Sequence, residues 1–331
     1  MIKIVPIMIN PQIQILLATY NGELFLQEQL DSIAHQSYKN WTILARDDES
    51  TDSTCEILKE FQQKNPDKLI LVEDGCGKSG DAATNFLKLL KHSTADIVAL
   101  ADQDDIWHPH KVERSVAALS RMQLQHGVHV PAMVHHDFSL VDADKSMLVK
   151  SFDRAQSRRR ELNHIVPMPF SGCAHGFSMI FNRALIEKTI PAPSMIGGHD
   201  ALLACVAHDF GRVEFISEQL ALYRRHGKNV SAGESYQRRA LGRVFSEGIS
   251  FTNVATTIRE IFRDAHDNLK NKCEITSEYL DRYGDEMSPK RRDLLVRFAH
   301  IEELGMVARK SLLFRHVAES PRTRILASLM L

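Results

Sequence analysis

The sequence predicts an α/β protein with a doubly wound, mainly parallel sheet and a helical C-terminal extension. Between residues 12 and 100, short apolar runs alternate with segments whose apolar residues recur at helical spacing, and polar residues follow the runs. Strands that alternate with helices pair in parallel through right-handed crossovers. From about residue 235 onward the pattern is helical with few strand signals. We therefore predict two domains, 1–235 and 236–331.

The first strand and helix have clear signals. Residues 12–17 form an apolar run that leads into a turn at 18–22, and residues 25–35 carry Leu26, Leu30 and Ile33 at helical spacing. This pattern predicts a strand, a turn and an amphipathic helix in that order.

The same unit recurs twice more. A second strand at 41–45 ends abruptly at an acidic segment, and a helix follows from about Ser53, where Ser53 and Glu56 have capping-box spacing. A third strand at 69–72 is followed by a glycine-rich loop and a helix through Phe86. The fourth strand, 97–100, ends at a cluster of acids.

After about residue 130 the pattern loosens. Arg158, Arg159 and Arg160 mark a polar, basic segment that we expect to be a mobile loop, at 151–163. The remaining expectations are strands at 133–137, within 167–183 and at 211–216, followed by the segment 222–226, and a helix that begins at Gly198 and runs through 201–207.

The polar residues converge at one edge of the predicted sheet, because ligands of such sheets bind outside the carboxyl ends of the strands. We expect the strand ends to bring together residues 19–21, Asp47, Asp48, Asn85 and Asp102. Neither a GxGxxG nor a GxxxxGK[ST] motif is present, which argues against a dinucleotide-binding domain and a P-loop nucleotidase.

Composition limits the partners and the location. With 44% apolar and 25% charged residues the chain is typical of soluble globular proteins, and its net charge of −1 predicts no nucleic-acid partner. Five dispersed cysteines predict reduced thiols. The N-terminal run MIKIVPIMIN lacks a cleavage site, and no apolar stretch reaches the ~18 residues of a membrane span. We expect a cytoplasmic protein, at most peripheral on the inner face of the membrane.

The stretch LADQDDIWHPHK, residues 100–111, places three carboxylates directly after the fourth strand. Asp102, Asp104 and Asp105 repel one another, so either water solvates an ordinary acidic turn or a cation binds there. Mg²⁺ and Mn²⁺ prefer carboxylate oxygens, and Mg²⁺ commonly uses one or two of them together with substrate phosphates.

Three further residues each have two interpretations. Asp48 accepts a hydrogen bond from a base or ribose, or caps the following helix. Asp200 acts as a base for a hydroxyl proton, or is a plain helix cap. His226 is a metal or phosphate ligand, or has the structural role that is commoner for a lone histidine.

Several spaced motifs together resemble the family-two inverting glycosyltransferases, and the DQDDIW form resembles their rhamnosyltransferase-type branch. The similarity covers about residues 12–232. The motifs are ILLATYNG (15–22), QLDSI (29–33) with Gln36, DDESTD (47–52), DQDDIW (102–107) with Lys111, His199-Asp200, and YRRH (223–226).

The resemblance implies a GT-A fold, a nucleotide-diphosphate sugar as donor, dTDP- or UDP-linked, and Mg²⁺ or Mn²⁺ as cofactor. It implies these roles: Ala18 and Tyr20 line the base pocket, Asp48 binds the base or ribose, Asn85 lies near the donor, Asp102 and Asp104 form the metal and ribose site, Asp200 is the catalytic base, His226 is a further metal or diphosphate contact, and Gly172, Cys173 and His199 border the acceptor.

One position departs from the resemblance: Glu49 stands where the family usually has glycine. The expected function is inverting transfer of a sugar, rhamnose by the branch resemblance, to a glycan or lipid-linked acceptor in cell-surface polysaccharide synthesis. Two alternatives remain: a sugar-nucleotide-binding protein that has lost catalysis, for which Glu49 is the reason, and a nucleotidyltransferase, whose usual glycine-rich basic loop is missing.

The C-terminal region carries a basic segment. Residues 288–324 contain nine Lys or Arg against four Asp or Glu, a net charge of +5, and Leu294, Phe298, Ile301, Leu304 and Leu312 recur at helical spacing. The pattern fits a helix lying on an anionic membrane. Packing on the catalytic domain, or a homodimer contact, fits it equally.

Overall fold

The computed structural model describes residues 10–155, 174–190, 197–227 and 251–316. The chain divides into two compact units. The first comprises Met1–Ser157 and Gly172–Arg224, and the second comprises Arg158–Ser171 and Arg225–Leu331.

Strands and helices alternate in the first unit as the sequence predicts. In chain order the described elements are β1 (Ile13–Thr19), α1 (Leu26–Ala34), β2 (Trp41–Asp47), α2 (Thr54–Lys64), β3 (Leu69–Leu71), α3 (Ala82–His92), β4 (Ile97–Ala101), β5 (Ile106–Trp107), α4 (Lys111–His126), β6 (Ala132–Asp142), β7 (Met147–Val149), α5 (Phe152–Ala155), a 3-10 turn (Gly176–Ser178), β8 (Met179–Asn182), α6 (Arg183–Thr189), α7 (His199–Phe210) and β9 (Arg212–Arg225).

The sheet formed by these described strands is mixed. Its order is β3-β2-β1-β4-β8-β6-β9-β5, and β7 pairs with β6. β1 pairs in parallel with β2 and β4, and β2 with β3. β8 runs antiparallel to β4 and β6, β7 to β6, and β5 to β9. The α/β class is confirmed, with parallel pairing across the first four strands and antiparallel pairing from β5 onward.

The register of the first strands positions the site. Ile13 of β1 lies opposite both Trp41 and Ile97, so the three strands start level with one another. All three are almost entirely buried, in agreement with their continuous apolar sequences. Their carboxyl ends therefore meet at one edge, as expected.

Helix starts depend on side chains that the sequence indicates only in part. α1 buries Leu26, Leu30 and Ile33, as predicted. The capping-box bond predicted at Ser53 does not form. Instead, Asp52 Oδ1 accepts hydrogen bonds from the backbone N–H and the hydroxyl of Thr54, at 3.0 and 2.5 Å. The carboxylate one residue earlier has taken the capping role.

The strands predicted in the second half are found with different limits. The segment at 133–137 is part of β6, and the strand predicted at 211–216 forms the single strand β9 together with the segment 222–226. Within the predicted loop at 151–163, residues 152–155 form α5, and 156–163 lie outside the described residues.

The second unit is helical where it is described. It contains α8 (Phe251–Tyr283), a 3-10 turn (Gly284–Glu286), α9 (Pro289–Ala299), a 3-10 turn (Ile301–Glu303) and α10 (Met306–His316). Its core consists of Cys273, Phe298, Ile301 and Leu312, against which Leu269, Leu294 and Leu304 pack. None of the helices in the described ranges has the length and apolarity needed to cross a bilayer.

This core accounts for part of the C-terminal apolar pattern. Phe298, Ile301 and Leu312 are buried within the helical unit itself, so they do not form an apolar face for a membrane. Met306 and Val307 of α10 are exposed apolar side chains, 62% and 83% exposed.

Candidate active site

The turn after β1 and the loop after β2 are joined by hydrogen bonds between backbone and side chains. Five of them link residues 21–23 to residues 50–54: Asn21 N to Ser50 Oγ, Thr51 N to Asn21 Oδ1, Glu23 N to Asp52 Oδ2, Ser53 N to Glu23 Oε2 and Gly22 N to Thr54 Oγ1, at 2.8–3.1 Å. Most of the polar residues of the two motifs therefore hold the loops together. Asp47 belongs to the same network, because it accepts from Thr19 Oγ1 and from Ser50.

Asp48 faces the glycine-rich loop after β3. Its Oδ1 accepts from the backbone N–H of Ser79, and its Oδ2 from that of Gly80 at 3.0 Å. Burial opposes ionisation of Asp48, but these hydrogen bonds outweigh it and lower the pKa of the carboxyl. Asp48 is therefore an anion at neutral pH, held by the loop beside the sheet edge.

Arg46 is the residue at this edge that sequence reasoning missed. Arg46 is a residue of β2 and is 3% exposed. Its guanidinium forms two hydrogen bonds to Asp74, at 3.0 and 3.2 Å. It also donates to Asp48 Oδ1 at 3.2 Å and to Gly77 O at 2.7 Å. Since this one side chain binds both Asp48 and the loop, it fixes their relative position.

Asn85, predicted near the donor, is bound to the same guanidinium. Its Oδ1 accepts from Arg46 Nη1 at 3.0 Å, and its Nδ2 donates to Arg46 O at 3.2 Å. Asn85 is 2% exposed. Both of these hydrogen bonds are with Arg46, so Asn85 supports the side chain that binds Asp48.

Tyr20 lies at the surface of the same edge. Its ring is 4.3 Å below Lys78 Nζ, which also donates to the Tyr20 hydroxyl at 3.0 Å. Ala18 lies two residues earlier, near the end of β1, and is half-buried. The turn after β1, the loop after β2 and the glycine-rich loop thus meet around Tyr20 and Asp48.

The acid cluster after β4 is the electrostatic centre of the site. Burial, Asp104 and Asp200 together raise the pKa of Asp102 to about 7. Asp105 is fully buried; burial, Asp104 and Asp102 raise the pKa of its carboxyl well above the usual range, and its Oδ1 accepts from Arg224 N. Asp200 acts on Asp102 strongly enough to shift its pKa, so the structure brings the α7 carboxylate to the cluster.

Lys111 is a buried cation that contacts Trp107, just after this loop. Its ammonium is buried, donates to Phe177 O at 2.7 Å and lies 3.0 Å from the centre of the Trp107 ring. Burial lowers the pKa of Lys111, while Asp105 and Asp102 oppose this shift. Trp107 is 3% exposed and anchors β5 against β9.

His199 and Asp200 begin helix α7. The ring of His199 stacks on Phe86 with centroids 4.2 Å apart, and a Cβ added at Gly176 would lie 2.7 Å from His199 Nε2. Burial lowers the pKa of His199, which keeps the ring neutral at pH 7. The packing of His199 thereby fixes the start of α7, where Asp200 lies.

Three predicted site residues stay predictions. Gly172 and Cys173 lie outside the described residues. His226 belongs to the second unit, so its role as a metal ligand stays a prediction. Across the described ranges, no three His, Cys, Asp or Glu side chains cluster as a metal centre.

A separate cavity of about 310 Å³ lies on the α2 side of β2. Cys55, Leu58 and Lys59 of α2 form one wall, and residues 71–75 form the other. Arg46 reaches both this cavity and Asp48. The cavity neighbours the predicted donor site without including Asp48 or the acid cluster.

Comparison with known proteins decides the family. The model of "Glycosyl transferase family 2" matches residues 14–188. This chain belongs to glycosyltransferase family 2. The matched region of the family includes Ala18, Tyr20, Asp48, Asn85 and the acid cluster, and it ends before His199, Asp200 and His226.

Relatives within the family are known from several bacteria. The dTDP-rhamnosyl transferase RfbG of Shigella flexneri is 39% identical over 69% of this chain and 79% of its own length. An uncharacterised glycosyltransferase of Nostoc is 24% identical, over 66% of each chain. The match to EpsE of Bacillus subtilis spans less than half of that relative, 46% of its length, at 33% identity.

Solved structures share the GT-A fold with this family member. TarS 1–349 of S. aureus, solved in complex with UDP, covers 92% of this chain and 91% of its own, with a TM-score of 0.50 and 17% identity. The mannosyltransferase PcManGT of Pyrobaculum calidifontis, solved with GDP-Man and Mn²⁺, covers 97% and 87%, with a TM-score of 0.50 and 19% identity. These likenesses confirm the fold.

Proposed function

We propose that this chain is an inverting, metal-dependent glycosyltransferase that uses a nucleotide-diphosphate sugar. The observation that carries the proposal is that the charge of Asp200, at the start of α7, acts on Asp102 together with that of Asp104. A base for the acceptor is then next to the carboxylates that would serve the donor diphosphate. Membership in glycosyltransferase family 2 supports the reaction class.

The donor side of the proposal rests on Tyr20, Asp48 and Asp102. Asp48 is an anionic acceptor for a base N–H or a ribose hydroxyl, and the Tyr20 ring offers a surface for stacking. Ala18 completes the proposed pocket, and Asn85 supports it through its hydrogen bonds with Arg46. A dTDP- or UDP-linked sugar, with rhamnose as the first candidate, is supported by the 39% identity to the rhamnosyl transferase of Shigella flexneri.

Asp102 and Asp104 would hold a divalent cation, Mg²⁺ or Mn²⁺, with His226 as a further proposed ligand. The raised pKa of Asp102 fits this, because burial first and then Asp104 and Asp200 oppose its ionisation, and a nearby cation would favour the charged form. Two carboxylates also suit a site that completes its ligands with substrate phosphates. When bound, the metal supplies neutralisation of charge on the leaving diphosphate.

In the proposed reaction Asp200 accepts the proton of the acceptor hydroxyl. That oxygen forms a bond to the anomeric carbon from the face opposite the diphosphate, and the bond from the carbon to the diphosphate oxygen breaks. The nucleoside diphosphate leaves with the electron pair, and the anomeric configuration inverts. His199, by its packing on Phe86, keeps Asp200 in place.

The acceptor is proposed to be a glycan or a lipid-linked sugar of cell-surface polysaccharide synthesis, approached past Gly172, Cys173 and His199. We also propose a cytoplasmic protein with peripheral membrane contact through the basic helices of the second unit, or a homodimer formed by them. The basic charge of residues 288–324 and the exposure of Met306 and Val307 support the membrane contact.

A thermal-shift screen of nucleotide-diphosphate sugars, with and without Mn²⁺, tests the class and the donor together. We expect a metal-dependent rise of Tm with a dTDP- or UDP-sugar. Asp104→Ala should abolish the metal dependence, while Asp200→Asn should keep the donor-induced rise and lose sugar transfer. Transfer by Asp200→Asn at the wild-type rate would contradict the assignment of the base.

A further inference from the structure

Gln103 lies between Asp102 and Asp104 in the sequence, and its side chain binds the turn after β1. The amide forms two hydrogen bonds with the backbone of one residue in the turn after β1. Oε1 accepts from Tyr20 N at 2.9 Å, and Nε2 donates to Tyr20 O at 2.9 Å. Such a paired contact fixes orientation as well as distance, because both ends of the amide are used.

Gly22 makes room for this contact. A Cβ added there would lie 2.5 Å from Gln103 Cδ, which is closer than real atoms approach. The Gly22 backbone cannot retreat freely, since its N–H is bonded to Thr54 Oγ1 at 2.8 Å in a buried position. Gly22 does not have the positive φ that would otherwise explain a glycine. Its missing side chain is therefore explained by the Gln103 amide.

The loop that carries Gln103 is one that needs holding. Asp102, Asp104 and Asp105 lie within four residues of one another, and carboxylates at this spacing repel one another. Arg224 binds the far side of this loop, at Asp104 O and Asp105. Gln103 binds the loop to Tyr20, whose ring lies 4.3 Å from Lys78 Nζ.

We infer that the Gly22–Gln103 contact is a positioning device that couples the nucleotide subsite to the metal subsite. It acts through Tyr20 on one side and through Asp102 and Asp104 on the other. This inference rests on the proposed function, because it requires that Tyr20 faces the nucleotide and that the two carboxylates face the metal. Binding of nucleotide and metal should then reinforce each other through the protein.

The test is a double-mutant cycle with Gln103→Ala, Gly22→Ala and the double variant. Calorimetry measures the Kd of UDP and of dTDP with and without Mn²⁺. Each single substitution should weaken binding in Mn²⁺ about tenfold, since each breaks the same two hydrogen bonds. Binding without Mn²⁺ should change much less. In the double variant the loss should equal that of one single variant, because Gly22→Ala has no amide left to displace.

Two further variants separate positioning from general damage. Gln103→Met keeps the length of the side chain without the amide, so it should behave like Gln103→Ala. Gln27→Ala removes an exposed glutamine whose amide bonds Asp31 on the same helix, and it should bind like the wild type. Transfer assays should show the loss as a higher KM for the donor in Mn²⁺, with kcat at saturation nearly unchanged.

Losses that add in the double variant, or that are equal with and without Mn²⁺, would overturn the inference. Wild-type protein that binds nucleotide and metal, with single variants that bind equally well, would overturn it as well and leave the proposed function intact. Wild-type protein that binds neither UDP nor dTDP nor a sugar conjugate of them would overturn the proposed function, and this inference with it.

Discussion

Single residues at the site show which chemistry the sequence reveals and which it conceals. Asp48 and Asp102 could be predicted because carboxylates directly after apolar strands stand out. Arg46 could not, because it precedes the acids and resembles the polar end of its strand. The signal was its place: a charged side chain at a buried position of a strand needs partners, and Asp74 in the glycine-rich loop supplies them.

Glu49 has a left-handed backbone, with φ of 62°, which explains why glycine is usual there. We predict that Glu49→Gly raises the free energy of unfolding by about 1 kcal/mol, because the side chain no longer opposes this φ. For a compact unit of the size of the first one, that is a rise of Tm of about 2–4 °C. Differential scanning calorimetry measures it. Glu49→Ala keeps the Cβ and is the control, and an equal gain from it would contradict backbone strain as the cause.

Asp74 links the site to pH. Arg46 is the main cause that lowers its pKa to about 2. A carboxyl whose pKa is lower in the folded protein stabilises it above the unfolded pKa, near 4, and loses this effect as the pH falls toward 2. Asp74→Asn should therefore cost up to about 2 kcal/mol at pH 7 and progressively less below pH 4. Urea unfolding across this range tests it; a difference that stays constant with pH would contradict it.

At the scale of elements, the first half of the fold follows from the sequence and the second half does so only in part. Long apolar strands and amphipathic helices have a period that can be read. β5 has two residues and no period, and it forms only because Trp107 and Ile106 pair with β9 far along the chain. The insertion of β8 between β4 and β6 is likewise a tertiary result, for which the local pattern of Met179–Asn182 gives no signal.

The end of β9 holds the acid loop through one buried cation. Arg224 is 2% exposed and binds Asp104 O at 3.0 Å, Ala143 O at 2.8 Å and the carboxylate of Glu28. Arg224→Met should lower the free energy of unfolding by about 2–3 kcal/mol, because buried carbonyl groups lose their donors.

Lys145→Met is the matched control for Arg224→Met. Lys145 binds the same Glu28 at 2.8 Å, but its side chain is 51% exposed. Its loss should cost less than about 1 kcal/mol. Chemical denaturation of both variants gives the comparison, and equal costs would mean that the buried contacts of Arg224 add nothing.

At the scale of the whole molecule, the family and the fold extend over most of the chain, whereas the helical unit has its own core. The apolar pattern of that unit could be predicted, but not what covers it, because a stripe at helical spacing looks the same against a membrane and against a neighbouring helix. In the described helices, Phe298 and Leu312 are buried in one cluster of the helical unit itself, so neighbouring helices cover this part of the apolar stripe.

Exposed residues of the helical unit allow membrane binding to be tested. If the basic helices bind one, wild-type protein should float with vesicles containing phosphatidylglycerol and not with pure phosphatidylcholine. Met306→Ser/Val307→Ser and Lys290→Glu/Arg292→Glu should each reduce flotation several-fold, because they remove exposed apolar surface and positive charge. Equal behaviour of the wild type on both vesicle types would contradict membrane binding.

The five hydrogen bonds between residues 21–23 and 50–54 have a consequence for protein engineering. The two stretches supply each other's hydrogen-bond partners, although about thirty positions separate them in the chain. A chimera that imports only one of the two stretches from another transferase would lose these hydrogen bonds. Recombination of donor preferences between such proteins therefore has to exchange the two stretches together.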